Sequence, residues 1–430
     1  MSSGTVYEPR AGHNVAGSMA DSLFKSSPAQ RQLGEAMGRV KALGMSPRQL
    51  ELNRRWAWYT AVQYDNRRLD WSGRECTDPI EHEAIASAGF LPPGFYDAGE
   101  SMPLKFRKPT VAYHLVRVIV NRFTSLLFSE SQSPRLIIEG DQDTEDFVSA
   151  MIDAARLWPA MIMARTHGGA TGTACIGFQF LDGRPVVEVH DPRWIIPTFI
   201  DRASWRLRSI EIRYHYPVEE RDRETGLWEE VPYWYRRVID ETSDTLFRGI
   251  PVEDGTEPLN WPVERTVQHG MGFCPVVWIQ NIPVQDDADG EPDVWGIYDI
   301  IEAIDALLSQ AQKGTLANAD PTLIINTASE LGSIRKGSDN AIKLPGSGDN
   351  ANYLEIGGAG LKMAMDLSAQ FRSYALEVAQ CVLDHPDTAS RTATEIERVY
   401  SSMLSKADIM REQYGQRGVR PLVEMMIAAA

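Results

Sequence analysis

The chain has 430 residues, of which 43 are basic and 59 acidic, for a formal net charge of -16. This length requires two or three structural units, and the acidic balance excludes a protein that coats nucleic acid or an anionic membrane by general attraction. The four cysteines form no Cys-x-x-Cys pair and no apolar run reaches the roughly 20 residues that span a bilayer, so we expect neither a zinc site, a disulfide framework nor a membrane segment.

The first ordered helix is expected well inside the chain. Residues 1 to about 45 are rich in Ser, Gly, Ala and Gln, a composition that buries little and predicts disorder. The stretch PRQLELNRRWAWYTAVQYD then places Leu52, Trp56, Tyr59 and Gln63 on one helical face. This aromatic stripe favours core packing over a ligand platform.

A second helix is predicted from Lys108 to Phe128, with Pro109 in its first turn. His114 and Arg117 should lie on its polar side. The apolar positions that recur at helical spacing, and that should therefore be buried, are Leu115, Ile119, Phe123 and Leu126.

The stretch HGGATGTA, from His167 to Ala174, carries three glycines and raises the possibility of a phosphate-binding loop. That loop needs a Gly followed by Lys and then Ser or Thr, whereas Gly172 is followed by Thr173. The preceding FVSAMIDAARLWPAMIMARTH is typical of a helix and the following ACIGFQF of a strand, which reverses the order in a dinucleotide-binding unit. We therefore interpret the glycines as a helix stop and a tight turn.

Short alternating segments from Cys175 to about Ile282 predict a mostly antiparallel sheet. The first two strands are separated by a turn at Asp182-Gly183. His190 and Asp191 could suggest a metal or acid/base site, but no further ligand lies at a telling spacing. Because Asp191 precedes a proline, we interpret it as a turn opener.

The last third is predicted to be helical again, interrupted by a small β insert with the strand-like segments TLIIN, AIKLP and NYLEI. The helix DVWGIYDIIEAIDALLSQAQKGTLANAD precedes the insert, and its apolar stripe is Ile297, Ile301, Ile304 and Leu308, with Asp299, Glu302 and Asp305 between them. The helix LKMAMDLSAQFRSYALEVAQCVLD follows it, with a stripe of Leu367, Phe371, Tyr374, Val378 and Cys381.

The polar loop HPDTASRT leads into a third long helix. Thr392 and Glu395 have the spacing of a capping box at its start. Apolar residues then recur every three or four positions and predict a seam for a partner helix: Ile396, Tyr400, Met403, Ala407, Met410 and Tyr414.

The order of these motifs extends over nearly the whole chain. VQHGMGFCPVVWIQN and DVWGIYDIIEAIDALLSQAQ are followed by a β insert, a helix and a loop opening SRTATEIERVY, with GGATGTACIGFQFLDGRPVVEVHDPRWIIPTFID upstream. From about residue 50 to 414 this order resembles the portal proteins of tailed double-stranded DNA bacteriophages. The resemblance implies an α+β fold with a β-rich wing, two long stem helices flanking a small β-containing clip, and a long wing helix after a tunnel loop.

Carried over by position, the resemblance divides the chain into named parts. These are a disordered tail (1–45), the wing (46–290), stem helix 1 (291–319), the clip (320–360), stem helix 2 (361–384), the tunnel loop (385–393), the long wing helix (394–414) and a reduced or truncated crown (415–430). Portals commonly continue into a helical crown, and only GQRGVRPLVEMMIAAA remains here.

The resemblance implies a homo-oligomeric ring, a dodecamer, set at one capsid vertex of the virion after assembly in the host cytoplasm. Double-stranded DNA would pass through it during packaging and ejection without sequence specificity. The implied partners are the terminase large subunit, the major capsid and scaffold proteins, and a neck or head-completion adaptor, with no membrane, no cofactor and no enzymatic activity. The residues placed in the tunnel loop are His385, Asp387, Thr388, Ser390 and Arg391, and the basic candidates for the channel are Lys313, Arg335, Lys336, Lys343 and Lys362.

Two alternatives remain open from the residues. One is a metal-dependent nucleic-acid enzyme, because Asp286, Asp287 and Asp289 form an acidic run that could bind magnesium. QDDADGEPD contains Gly and Pro and lacks a partner carboxylate or catalytic lysine on a framed strand, so a solvated loop is the favoured interpretation. The other alternative is a different ring or adaptor of a virion, without a tunnel loop. No ATP-binding signature is present, so no ATPase activity is expected.

Overall fold

Along the chain, a block of helices precedes a largely antiparallel β block and a second block of helices follows it, so the expected α+β class is confirmed. The computed structural model describes residues 46–64, 68–69, 75–76, 109–128, 137, 141–181, 183–201, 204–221, 228–252, 258–285, 287–319, 322–326, 350–354, 358–383 and 393–429.

The helices before the β block are α1 (Pro47–Thr60), α2 (Leu115–Leu127), α3 (Gln142–Ala155) and α4 (Leu157–Thr171). Those after it are α5 (Tyr298–Ala319), α6 (Gly358–Val378), α7 (Ala393–Tyr414) and, after a π-helical turn at Gly415–Val419, α8 (Arg420–Ala429). The expected start of the first ordered helix is confirmed, since Ser46 and Gln49 form a capping box at the start of α1.

The strands form four antiparallel groups in the described part of the chain. The short pair near the N-terminus is β1 (Arg68–Leu69) and β2 (Glu75–Cys76). The larger strands are β3 (Thr173–Leu181), β4 (Arg184–His190), β5 (Ile195–Phe199), β6 (Leu207–Arg221), β7 (Trp228–Ile239), β8 (Ser243–Phe247), β9 (Ile250–Pro251), β10 (Val263–Gln268) and β11 (Val276–Gln280). The insert contains β12 (Thr322–Asn326) and β13 (Asn350–Leu354).

Two sheets confirm the predicted antiparallel region. One has the order β11-β3-β4, and the other β10-β8-β7-β6-β5 with β9 beside β7. In the first sheet Cys175 pairs with both His190 and Trp278, and all residues from Thr173 to Phe178 are buried. Strand β3 is therefore the central strand of a buried sheet, and helix α4 packs against it.

The main core joins this sheet to the helices of both blocks. Ile119 and Phe123 of α2, Met161 of α4 and Met410 of α7 are each fully buried in it. The described residues of the predicted seam on α7 confirm that prediction, since Met403, Ala407, Met410 and Tyr414 are buried and Tyr400 is partly buried. Ile396 and Thr392 lie outside the residues whose side chains are described.

The second helix was predicted to start too early. It begins at Leu115, and residues 109–113 are non-helical. Their backbone amides donate to side chains of α5 instead: Thr110 and Val111 to Ser309 Oγ at 2.9 and 3.0 Å, and Tyr113 to Asp305 Oδ1 at 2.7 Å. These bonds replace the helical ones. The burial of Leu115, Ile119 and Phe123 and the exposure of His114 and Arg117 are confirmed, whereas Leu126 is only half-buried.

The helical segment before the glycines is broken where one helix was expected. Arg156 adopts a left-handed conformation (φ 52°), and the axes of α3 and α4 differ by 61°. Pro159 explains the break, because in an unbroken helix its ring would collide with the carbonyl of Ala155. Beyond it, α4 ends at Gly172 (φ 101°), which confirms the predicted helix stop.

Candidate functional site

Helices α5 and α6 lie antiparallel and are connected through the strand pair β12–β13. We call these four elements the arm. Gly314, near the end of α5, packs directly against Leu361, near the start of α6, and a side chain at position 314 would overlap that leucine. The closest approach between the two helices therefore depends on a glycine.

The arm exposes an apolar stripe on α6. The buried positions of α6 are small, Ser368 and Ala375, which lets α5 approach closely. The larger apolar residues Met363, Leu367, Tyr374 and Val378 are 72, 36, 45 and 53% exposed. Leu367, Tyr374 and Val378 follow Met363 by 4, 11 and 15 positions, so all four side chains lie on one stripe of the helix. This stripe lies roughly 100° around the helix axis from the buried face. Most of the apolar stripe predicted for this helix thus faces away from its own chain.

On α5 the predicted stripe is confirmed, because Ile297, Ile301 and Ile304 are buried and Leu308 is half-buried. Asp305 was placed among the polar positions between them, yet it is fully buried. Burial raises the pKa of this carboxyl to about 6, against the opposing effect of the Tyr113 amide that donates to it. Together with Ser309 it ties residues 109–113 to the arm.

A buried ion pair lies at the base of the arm, where α4, α7 and the segment before α5 meet. Arg165 Nη2 donates to both carboxylate oxygens of Asp293, at 3.0 and 2.8 Å, and both side chains are fully inaccessible. Asn281 Nδ2 donates to Asp293 Oδ1 at 2.9 Å, and Asn281 Oδ1 accepts from the Tyr414 hydroxyl at 3.2 Å. Burial raises the pKa of Tyr414, so this hydroxyl remains a donor at neutral pH. We call these four residues the polar anchor.

Lys406 connects the polar anchor to the end of α6. Its ammonium donates to the carbonyls of Asp293 and Ala379, both at 2.9 Å, and lies 5.0 Å from the centre of the Phe123 ring. Burial lowers the pKa of Lys406, and the nearby Asp293 opposes this. This one side chain of α7 therefore holds the chain just before residues 384–392 against the helix that follows them.

The glycines of HGGATGTA allow this packing. A side chain at Gly168 would overlap the Tyr414 hydroxyl, and one at Gly169 would overlap Arg165 and approach Asp293. The carbonyl of Gly169 also accepts from the Asp293 amide at 2.9 Å. The glycines at this helix end therefore leave the space that Tyr414, Arg165 and Asp293 occupy. The sequence reasoning missed the polar anchor, although Arg165 follows the buried Met161 by four residues, a spacing that places a charge on the core face.

The predicted channel residues fall into two groups. The tunnel-loop residues His385, Asp387, Thr388, Ser390 and Arg391 lie outside the described residues, as do the basic candidates Arg335, Lys336 and Lys343. The other two, Lys313 and Lys362, are exposed and adjoin the contact between Gly314 and Leu361. The structure therefore brings these two lysines to the same end of the arm.

The acidic run is not one solvated loop. Asp286 is outside the described residues and Asp287 is exposed, but Asp289 is buried, so the interpretation as a solvated loop is wrong for it. Both its carboxylate oxygens accept from Arg48, and Oδ1 also accepts from Thr173 Oγ1 at 2.8 Å. Asp289 therefore joins α1 to β3, which explains a buried carboxylate without a metal.

Neither His190 nor Asp191 forms part of a metal cluster, and within the described residues no group of three or more His, Cys, Asp or Glu side chains could hold a metal ion. Burial lowers the pKa of His190 to about 4, so the ring is neutral. Asp191 accepts from the Arg193 amide at 3.0 Å and starts a short 3-10 helix, which confirms the turn opener.

Comparisons with known proteins give little guidance. No protein-family model matches the chain, and no curated protein matches it in sequence. Among solved structures, a chain from the virion of a native gene transfer agent (GTA) particle aligns over 73% of this chain and 73% of its own length, with 12% identity and a TM-score of 0.35. Likeness at this level does not establish a shared fold.

Within the described residues, no single helix is both long enough and apolar enough to cross a membrane, while the bent pair of α3 and α4 meets that test by length and composition only.

Proposed function

We propose that the chain is the subunit of a phage portal, a ring at one capsid vertex of the virion through which double-stranded DNA is packaged and ejected. The observation that carries this proposal is the arm, whose α6 helix presents large apolar side chains to solvent along one stripe. A stripe of this kind is typical of a helix that packs against another subunit. In a ring, the same stripe on every subunit would contact a different surface of the next, and the head-to-tail contacts would close.

The arm also has the charge that a conduit requires. Besides the buried Asp305, its two helices carry the four exposed carboxylates Asp299, Glu302, Asp366 and Glu377, against the three basic residues Lys313, Lys362 and Arg372. Each Lys or Arg on a phosphate adds salt-dependent affinity that would slow a sliding duplex. An acidic arm with few basic positions lets DNA pass, and Lys313 and Lys362 at one end provide weak contacts that read no base sequence.

The polar anchor fits a second requirement of this function. Residues 385–391, the proposed tunnel loop, connect α6 to α7, and Lys406 holds the end of α6 to α7 beside the buried Asp293. A loop that narrows a channel needs rigid attachment at both ends. In the proposed assembly, Asp387 would repel the DNA phosphates and Arg391 would contact them.

The proposed function sets the partners. The ring would dock the terminase large subunit, which supplies the energy of packaging, and it would contact major capsid and scaffold proteins and a neck or head-completion adaptor. The chain itself is proposed to have no catalytic role. The proposal would be contradicted if the purified protein hydrolysed ATP and a point substitution in this chain abolished that activity.

The proposal can be tested at the apolar stripe by size measurement of purified variants. We expect Met363→Asp to shift the protein from a large ring to monomers, because it places a charge in the subunit contact. Leu259→Asp is the matched control, since Leu259 is fully exposed in a loop outside the arm and should leave the ring intact. Rings that form equally well in both variants would show that this stripe is not the subunit contact.

A further inference from the structure

A small cavity with aromatic walls lies between the end of α1 and the start of α5. Its volume is about 210 Å³. The Trp58 ring forms one wall and contacts the rings of Tyr64 and Tyr298, with centroid distances of 5.7 and 5.5 Å, and Trp295 closes another side. This volume lies below the roughly 300–1,000 Å³ of pockets for drug-sized ligands, so the cavity can take only one end of a small molecule or one side chain.

Several buried polar atoms at this cavity have no hydrogen-bond partner among the described residues. They include Gln63 Oε1 and the hydroxyls of Tyr64 and Tyr298, all three of which belong to residues that line it. Gln63 and Tyr64 are each only 6% exposed. The unpartnered Oδ2 of Asp305 lies beside the Tyr64 hydroxyl. The Tyr64 hydroxyl can donate to Asp305 Oδ2, so the Tyr298 hydroxyl and Gln63 Oε1 are the cavity atoms that an occupant with hydrogen-bond donors would satisfy.

The charges around the cavity indicate which donor fits. Of its three carboxylates, Glu51 accepts from Arg55 at 3.1 Å, and Arg55 itself donates to the Thr171 carbonyl and stacks over Trp295. Asp299 and Glu302 form no ion pair in the part of the chain that the structure describes. Burial, and after it the neighbouring Asp299, raises the pKa of Glu302, and Arg54, which also lines the cavity, opposes this shift. The three carboxylates of the lining outnumber its two arginines, Arg54 and Arg55, by one.

Aromatic faces beside Asp299 and Glu302, in a lining where carboxylates outnumber arginines, favour an organic cation. Cations bind over the faces of Trp and Tyr, and an ammonium group provides three donors for oxygen acceptors. A hard metal ion is a poor fit, because it requires six or more oxygen ligands and gains little from aromatic walls. We propose that this cavity binds an alkylammonium group, either the end of a free polyamine or a lysine side chain, between the aromatic rings and the carboxylates of Asp299 and Glu302.

Calorimetry of the full-length protein with spermidine and with n-butylammonium tests this proposal. We expect saturable binding of one molecule per chain and roughly tenfold weaker binding in Glu302→Gln. Glu377→Gln is the matched control, because Glu377 is an exposed carboxylate of the same arm and its loss should leave the affinity unchanged. Equal losses in both variants, or equal competition by Mg²⁺ at matched ionic strength, would reduce the binding to general charge attraction and overturn the proposal.

Carbodiimide cross-linking separates the two sources of the ammonium group. A lysine occupant should give an amide between that lysine and Asp299 or Glu302, found by peptide mass spectrometry, and the chain should then not bind added spermidine. A free polyamine should leave the two carboxylates without a cross-link, and spermidine should bind. Either result supports an alkylammonium site. A protein with neither a cross-link nor spermidine binding would contradict it.

Discussion

Replacing Asp293 with asparagine tests the polar anchor most directly. The carboxylate accepts two hydrogen bonds from Arg165 and one from Asn281, and all of these groups are buried. Asparagine keeps the shape but removes the charge. Arg165 would then be a buried cation without a counter-ion, with Nε and Nη1 that already have no partner among the described residues. Breaking a buried pair in this way costs about 3–5 kcal/mol, and we expect a loss of that size in the free energy of unfolding.

Urea denaturation followed by tryptophan fluorescence measures this loss. Asp287→Asn is the matched control, because Asp287 is exposed on the same segment, and it should change stability by less than about 0.5 kcal/mol. Arg165→Met in the background of Asp293→Asn removes the unpaired cation, so the double variant should be more stable than the sum of the single losses predicts. A loss below about 1 kcal/mol for Asp293→Asn, with additive single effects, would refute a coupled ion pair.

Three further predictions follow from single contacts. Lys406→Met should lower the free energy of unfolding by about 1–3 kcal/mol and speed amide hydrogen exchange at the end of α6, because two buried carbonyls lose their donor. Unchanged exchange there would contradict the proposed role of Lys406 in holding this segment against α7. Gly172→Ala should cost about 2–5 kcal/mol in thermal unfolding, since the new methyl group meets the Gly290 carbonyl in a left-handed conformation, while Gly183→Ala, which has positive φ but open space, should cost only about 1–2 kcal/mol. The pKa of Asp305 is raised to about 6, so this carboxyl stabilises the fold while it is protonated. Its contribution to the free energy of unfolding should therefore decline as pH rises from about 4 to about 6. Asp305→Asn should abolish that part of the decline in a pH series of unfolding curves.

Local periodicity predicted the elements well where one face of an element is buried against the same chain. The alternating residues of β3 and β4 and the seam of α7 are examples, because in each case burial requires the period that the sequence shows. The same reasoning assigned Leu367 and Tyr374 of α6 to a packing face without showing what they pack against. In the single chain they are exposed, and small residues make the contact with α5.

Contacts between distant residues could not be predicted from the sequence. The amides of residues 109–113 donate to α5 side chains almost 200 positions away, so helix propensity alone extended α2 too far. The polar anchor likewise joins Arg165, Asn281, Asp293 and Tyr414, whose separations carry no local pattern. Sequence spacing reports the face of an element, whereas the partner across the core depends on tertiary packing.

The first experiment to perform is native mass spectrometry of the purified full-length protein, with negative-stain images of the same sample. The portal proposal predicts a closed ring with a central hole and a mass near twelve times the 48.1 kDa of the chain. A protein that stays monomeric at high concentration, with no rings in the images and none formed when scaffold or capsid protein is added, would contradict the proposal.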